Sequence, residues 1–464
     1  MLALAAVTLA AVALLTAPVP QVAEPPERAG SGGGTAVLSA RRGPAWTARP
    51  VAARNVAASA APALGAFPAD ACVVVRDGPA VLVDLNGATP LVPASNMKVV
   101  TAAAALAILG PDTRLTTTFR AGAPPVGGTV TGDLWMVGGG DPLVATGTYA
   151  PTQSSPTTPV TSLEVAADAL VAGGLRRVTG SVVGDESRYD TERARPSWPD
   201  RFVRDRQVAN LSALMVNDAW SVGALQPGPD PSPVGEPALY AAAILTELLR
   251  ARGVAVDGPP VVGVAPPTTV VVGEVPSATV AEIVGEMLTF SDNTTAELLV
   301  KEIGRVAGGT GTSDAGLAVM RRWLDEQGLP TGGVVLADGS GLSADNRLTC
   351  GLLAALLVRS GPDGTLANGL ARPGRPGTLS RRLREDDVRE RVRAKTGSLN
   401  SVRSLSGWLT TVPGRPVAFA MLANTGARAA GEDDEAVEES LLRTLLAYPQ
   451  TPTPDQLGPS PARG

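Results

Sequence analysis

The chain reads as an α/β protein of the α+β kind, with about five antiparallel strands, flanking helices and large inserted domains. Three observations predict this. Two β-rich runs lie just past residue 70, and three more lie beyond residue 390. An almost wholly apolar helix follows the first pair. The stretch between the two groups is far too long for a loop and carries strand and helix patterns of its own. Both chain ends then share one sheet, which encloses everything between them.

Met1 to Ala17 carry no charge. At ~1.5 Å per residue they span about 25 Å, slightly short of a ~30 Å hydrocarbon core. Residues 1–17 therefore read as a signal peptide or a membrane anchor. No basic residue precedes them, and Thr16-Ala17-Pro18 is not a clean cleavage site. Residues 18–60 are rich in Pro, Ala, Gly and Arg, including Ser31-Gly32-Gly33-Gly34, and predict a disordered spacer.

The main domain is expected over residues 65–120 and 276–448. Ala71–Arg76 and Ala80–Leu85 read as strands joined at Asp77-Gly78, a hairpin signal. Pro93-Ala94-Ser95 opens a helix that runs to about Leu109 and closes at Gly110 and Pro111. It has almost no polar residue beyond Lys98, so it should be buried all round. Residues 121–275 read as inserted domains. They carry strand-like runs at Leu134–Val137, Arg177–Val183 and Val270–Val272, and a helix at Ala238–Arg252. Pro-rich stretches at 151–160 and 227–237 read as surface loops. Val392–Lys395, Ser404–Thr411 and Val417–Asn424 read as strands, the last two turning at Pro413-Gly414-Arg415-Pro416. Residues 449–464 hold five prolines and predict a disordered tail.

Composition narrows the chemistry. The net charge of −5 leaves no nucleic-acid footprint. Aromatic residues are only 3%, so Ala, Val and Leu must fill the core. There is no histidine, which excludes a Ser-His-Asp triad and a histidine-ligated metal. No cofactor or metal motif is present. Cys72 and Cys350 are the only cysteines; an exported protein could pair them, and two buried thiols would fit equally well.

Three motifs then carry the chemistry. Ser95 and Lys98 are three apart at a helix start and share a face. Ser95 lies at the positive end of that helix, which favours an alkoxide and a nearby oxyanion. Lys98 can accept the Ser95 proton only when neutral, and burial beside a second cation would favour that state. The bland alternative is an N-cap serine with a surface lysine. Ser291-Asp292-Asn293 falls between two helical patterns, Thr279–Leu288 and Thr295–Ile303. Ser291 and Asn293 could face one cleft, Ser291 relaying a proton and Asn293 holding a substrate amide; the alternative is a plain helix cap. Lys395-Thr396-Gly397 ends a strand. Lys395 and Thr396 could bind a carboxylate, and Gly397 could admit a substrate backbone. The Ser398 N–H, with that of Ser95, could form an oxyanion hole. Taken singly, this motif is also a strand running into a Gly turn.

The S-x-x-K, S-D-N and K-T-G set, in this order, resembles the acyl-serine enzymes that recognise penicillin. Leu91-Val92-Pro93-Ala94-Ser95-Asn96-Met97-Lys98, Gly138-Gly139-Gly140-Asp141-Pro142 and Asp338-Gly339-Ser340-Gly341-Leu342-Ser343 are similar to blocks of one family. That family is the low-molecular-mass penicillin-binding proteins of the D-Ala-D-Ala carboxypeptidase/endopeptidase type, peptidase family S13. The likeness covers about residues 65–445. It implies a penicillin-binding, transpeptidase-like fold, in which a sheet with flanking helices stands beside a helical lobe and the active site lies between them. It implies peptidoglycan stem peptides as substrates, β-lactam antibiotics as inhibitors that acylate Ser95, and action outside the cytoplasm, secreted, periplasmic or wall-associated. A secreted β-lactamase shares the motifs but needs fast water attack and lacks so large an insert. A non-catalytic wall scaffold would not need both lysines.

Overall fold

Local sequence sets the helix ends. The structure, a computed structural model, describes residues 45–149, 158–221 and 232–450. The expected signal peptide or anchor, the spacer up to residue 44 and the tail beyond residue 450 lie outside those residues, as do parts of both Pro-rich stretches. In chain order the main elements are α1 (Ala45–Leu64), β1 (Asp70–Asp77), β2 (Ala80–Leu85) and α2 (Met97–Ile108). The inserted region supplies β3 (Thr117–Ala121), β4 (Leu134–Val137), α3 (Leu163–Ala172), β5 (Val182–Asp185), α4 (Pro237–Ala251), β6 (Val261–Val262) and β7 (Val270–Val275). Then come α5 (Val280–Phe290), α6 (Asn293–Ala307), α7 (Ser313–Glu326) and α8 (Cys350–Ser360). The chain closes with β8 (Val392–Leu399), β9 (Val402–Thr410), β10 (Pro416–Asn424) and α9 (Glu432–Leu445). A capping box from Thr279 and Glu282 starts α5, and Thr312 and Thr349 cap α7 and α8.

The main sheet has the order β8-β9-β10-β1-β2, all antiparallel. This is the five-stranded sheet shared by both chain ends that the sequence predicts. One face packs on α8 and shares a core with α2, α5, α6 and α7. The other packs on α1 and α9. Every residue of α2 from Met97 to Ala105 is buried. Cys72 on β1 and Cys350 at the start of α8 form a disulfide, with Cα atoms 5.9 Å apart, which settles the cysteine alternative. Among the described residues, no helix is long and apolar enough to cross a membrane.

Two expectations are corrected. The spacer does not run to residue 60, because α1 begins at Ala45 and buries Ala52, Val56 and Ala60 against the sheet. Those residues recur at helical spacing, a pattern masked by Pro50, Pro62 and the alanine-rich composition. The strand carrying Lys395 does not end there. It continues to Leu399 and turns at Asn400-Ser401 into β9, with Lys395 paired to Ser406 and Gly397 to Ser404. Its second half, Thr396-Gly397-Ser398, is polar and glycine-containing, and so reads as a loop.

The inserted region has a sheet of its own, in the order β6-β5-β4-β3-β7, and its own core with α3 and α4. A further arm, from about residue 186 to 220, does not stand apart. Tyr189, Trp198, Phe202 and Leu211 share a core with Leu298 of α6 and with Leu342. Arg188 and Tyr189 also bond Glu302 of α6, and the buried Lys301 pairs with Asp190.

Candidate active site

Two residues in left-handed backbone conformation frame the site. Ala94 (φ 47°) precedes Ser95, and Ser291 (φ 67°) ends α5. Non-glycine residues there cost on the order of 1–3 kcal/mol, so the surrounding packing must hold them. A short 3-10 turn, Ala94–Asn96, leads into α2 and leaves Ser95 half-buried at its mouth. The turn is pinned to the sheet. Asn96 Nδ2 donates to Ser404 Oγ at 2.7 Å, Ser404 Oγ donates to the Pro93 carbonyl at 2.7 Å, and Ser406 donates to Asn96.

The structure brings the three motifs together. Lys98 Nζ lies 3.2 Å from Ser95 Oγ, 2.5 Å from Asn293 Oδ1 and 2.7 Å from the Ser340 carbonyl oxygen. Lys395 Nζ donates to Ser291 Oγ at 2.9 Å and to the Thr396 carbonyl at 2.7 Å. Both lysines are fully buried. Asp292 turns away from this cluster, where its Oδ1 accepts from the Thr295 N–H at 2.9 Å and caps α6. The motif is therefore both a helix cap and part of the cluster.

Electrostatics separate the two lysines. Burial lowers Lys98 to about 8, against the pull of Asp338, Asp292 and Glu297. Burial, then repulsion from Lys98, pushes Lys395 well below its usual range. The expected influence of Lys395 on Lys98 thus appears on the other partner, Lys395, whose hydrogen bonds among the described residues go to the neutral Ser291 hydroxyl and Thr396 carbonyl.

The glycine of the third motif has a nearer neighbour than a substrate. A Cβ on Gly397 would lie 2.2 Å from Ser404 Oγ and 3.0 Å from both the Pro93 oxygen and the Ser95 nitrogen. Only glycine lets β8 pass against the Ser95 turn. Strand alternation then aims one amide outward. The Ala394 N–H points off the sheet edge to Ala371, so that of Ser398, on the same side of a regular strand, points off the same open edge. The Ser398 hydroxyl receives Arg403. Ser398, Leu399 and Asn400 line a cleft of about 650 Å³ together with Gln207, Phe202 and Leu342.

Sequence reasoning missed four partners. Ser340 supplies a carbonyl to Lys98. Gln207, in the inserted region, accepts from Asn293 Nδ2 at 2.6 Å through its backbone. Glu297 accepts from the Gly339 and Ser340 N–H groups at 3.0 and 2.7 Å, and Asp338 holds the same loop. Backbone acceptors leave no side-chain signal. The glycines flanking Ser340 were the one legible hint of close packing there.

Comparison with known proteins finds relatives of the chain as a whole. The family model for the D-Ala-D-Ala carboxypeptidase 3 (S13) family matches residues 53–231 and 222–444. The chain is 32% identical over 441 residues to carboxypeptidase DacB of Mycolicibacterium smegmatis, covering 91% of each chain. It is 28% identical to the D-alanyl-D-alanine carboxypeptidase of Actinomadura sp. (strain R39), covering 78% of each. The crystal structure of penicillin binding protein 4 from Haemophilus influenzae shares the fold, with a TM-score of 0.70 at 21% identity over 84% of this chain and 99% of that one.

Proposed function

This chain belongs to the D-Ala-D-Ala carboxypeptidase 3 (S13) family, and from that we infer that it is a serine-type D-Ala-D-Ala carboxypeptidase that works through an acyl-serine intermediate. Its substrate is the D-Ala-D-Ala end of a peptidoglycan stem peptide, and β-lactams acylate it. It acts outside the cytoplasm, where a Cys72–Cys350 bridge persists. Residues 1–17 would export or anchor it.

The residues divide the work as follows. Neutral Lys98 takes the Ser95 proton, and Ser95 Oγ attacks the carbonyl carbon of the penultimate D-Ala. The Ser95 and Ser398 N–H groups hold the resulting oxyanion. Collapse breaks the C–N bond, and the departing amine takes a proton through Ser291. Water then hydrolyses the ester and restores Ser95. Asn293 binds the substrate amide, and Lys395 and Thr396 hold the terminal carboxylate beside Gly397. The observation that carries this reading is the 3.2 Å contact of a buried, easily neutralised Lys98 with Ser95.

The test is incubation with labelled penicillin and, separately, with a D-Ala-D-Ala peptide. One adduct on the peptide holding Ser95, together with D-Ala release, is expected. An adduct that survives Ser95→Ala would sink the assignment. Many turnovers of a chromogenic β-lactam would favour the β-lactamase reading instead.

A further inference from the structure

The Ser340 carbonyl that receives Lys98 belongs to a tightly held peptide. Its oxygen accepts from Lys98 Nζ at 2.7 Å, while the N–H at the other end of the same peptide, that of Gly341, donates to Asp338 Oδ1 at 2.7 Å. One peptide unit thus bridges a fully buried carboxylate and a fully buried lysine. Each end polarises the other, because the N–H faces the negative partner and the C=O faces the positive one.

The rest of the loop allows little movement. Gly341 has φ +85°, and a Cβ there would lie 1.9 Å from the Ala94 oxygen, next to Ser95. Thr101, one turn beyond Lys98 on α2, donates to the Gly339 carbonyl at 2.7 Å. Asp338 accepts three more donors: Asn346 Nδ2 on Oδ1 at 2.7 Å, and the Ser343 N–H at 2.6 Å and Trp198 Nε1 at 2.9 Å on Oδ2. Trp198 comes from the arm of the inserted region.

We propose that Asp338 is a positioning residue that acts through the Ser340–Gly341 peptide, holding its carbonyl on the Lys98 amine and setting how firmly that amine keeps its proton, while the Trp198 indole moderates the charge Asp338 exerts. The proposal rests on the reading of Lys98 as the base that activates Ser95. The titratable groups around Lys98 are Asp338 from the loop, Asp292 at the N-cap of α6, Glu297 from α6, which burial and then Asp338 push up to about 8, and Lys395 from β8. Among the described residues, only Asp338 of these carboxylates bonds the peptide whose carbonyl Lys98 uses. It is also the strongest of the three in opposing the effect of burial on Lys98.

The test is the pH–rate profile of penicillin acylation in the full chain. Asp338→Asn removes the negative charge, so the acid limb should move to lower pH by about 1 unit or more. Trp198→Phe keeps the ring bulk and removes one donor from Oδ2, which leaves the carboxylate charge less compensated. Its limb should move to higher pH. A structural role alone would lower the plateau rate and leave both limbs in place. An unmoved limb in folded Trp198→Phe would overturn the proposal even if Asp338→Asn failed to fold, and limbs that shift in the same direction would overturn it where both variants fold. Mass analysis of the wild-type adduct separates the two claims. No adduct on Ser95 defeats the base reading, whereas a Ser95 adduct with unmoved limbs defeats only this inference.

Discussion

Lys395 Nζ donates to Ser291 Oγ at 2.9 Å, which ties the edge strand of the sheet to the left-handed turn between α5 and α6. Its other acceptor is the Thr396 carbonyl, so this buried lysine meets neutral oxygens only in these two bonds. An arriving carboxylate would supply the opposite charge. Lys395→Ala should therefore lower kcat/KM for a free-acid peptide by about 10–100-fold, in line with a charge-assisted hydrogen bond. The amidated peptide should lose only a few-fold. Equal penalties on the two substrates would contradict the carboxylate role.

Acylation should depend on pH through Lys98. Burial lowers its affinity for the proton to about 8, with Asp338, Asp292 and Glu297 opposing. Only the neutral amine can accept the Ser95 proton. Below the limb the neutral fraction falls about tenfold per pH unit, so the acylation rate should fall with it. Stopped-flow measurement with a reporter β-lactam across pH 5–9 checks this; a flat profile counts against Lys98 as the base.

Asp141 works inside a turn. Its Oδ1 accepts from the Leu143 N–H at 2.9 Å and its Oδ2 from the Thr161 hydroxyl at 2.6 Å. Asp141→Asn should leave the penicillin acylation rate within a few-fold of wild type. A loss of two orders of magnitude in a folded variant would assign the turn a chemical role. The inserted region touches the cluster elsewhere, through the Gln207 carbonyl and Trp198.

Asp218 offers a stability test. It has φ 55°, and its Oδ1 is buried with no hydrogen-bond partner among the described residues. Burial, then the nearby Asp292, raises it to about 8. The folded state thus keeps a proton that the unfolded chain releases near 4, so this contribution to stability is full below about pH 4 and is lost as pH rises through 8. Asp218→Asn mimics the protonated form and suits the left-handed backbone. Its Tm should exceed that of wild type at pH 9, with the gap closing toward pH 5. A gap that is constant across that range would show that Asp218 does not titrate as described.

Much of the site was legible in sequence because its parts are short and local. Ser95 and Lys98 share a face by helical spacing alone, and a lysine in a wholly apolar helix calls for a buried partner. The five strands were legible because hydrophobic runs and turn residues are also local. The polar end of β8 was not, since Thr396-Gly397-Ser398 is a strand only because β9 pairs with it. Nor was α1, whose proline and alanine content hides a face that the sheet makes apolar.

By itself, then, the sequence determined Ser95 as the candidate nucleophile, the absence of a histidine base and the order of the three motifs, all properties of residue type and near spacing. Only the tertiary structure decided that Lys395 reaches Ser291, that Asp292 caps a helix while its neighbours face the cluster, and that Gly397 makes room for the Ser95 turn. It also decided that a peptide between Ser340 and Gly341 stands between Lys98 and Asp338. The physical reason is that Lys98 and Ser340, 242 positions apart, Lys395 and Ser291, 104 apart, and Gly397 and the Ser95 turn meet only on folding, in part through backbone atoms that every residue possesses. No side-chain pattern marks them until packing brings the segments into register.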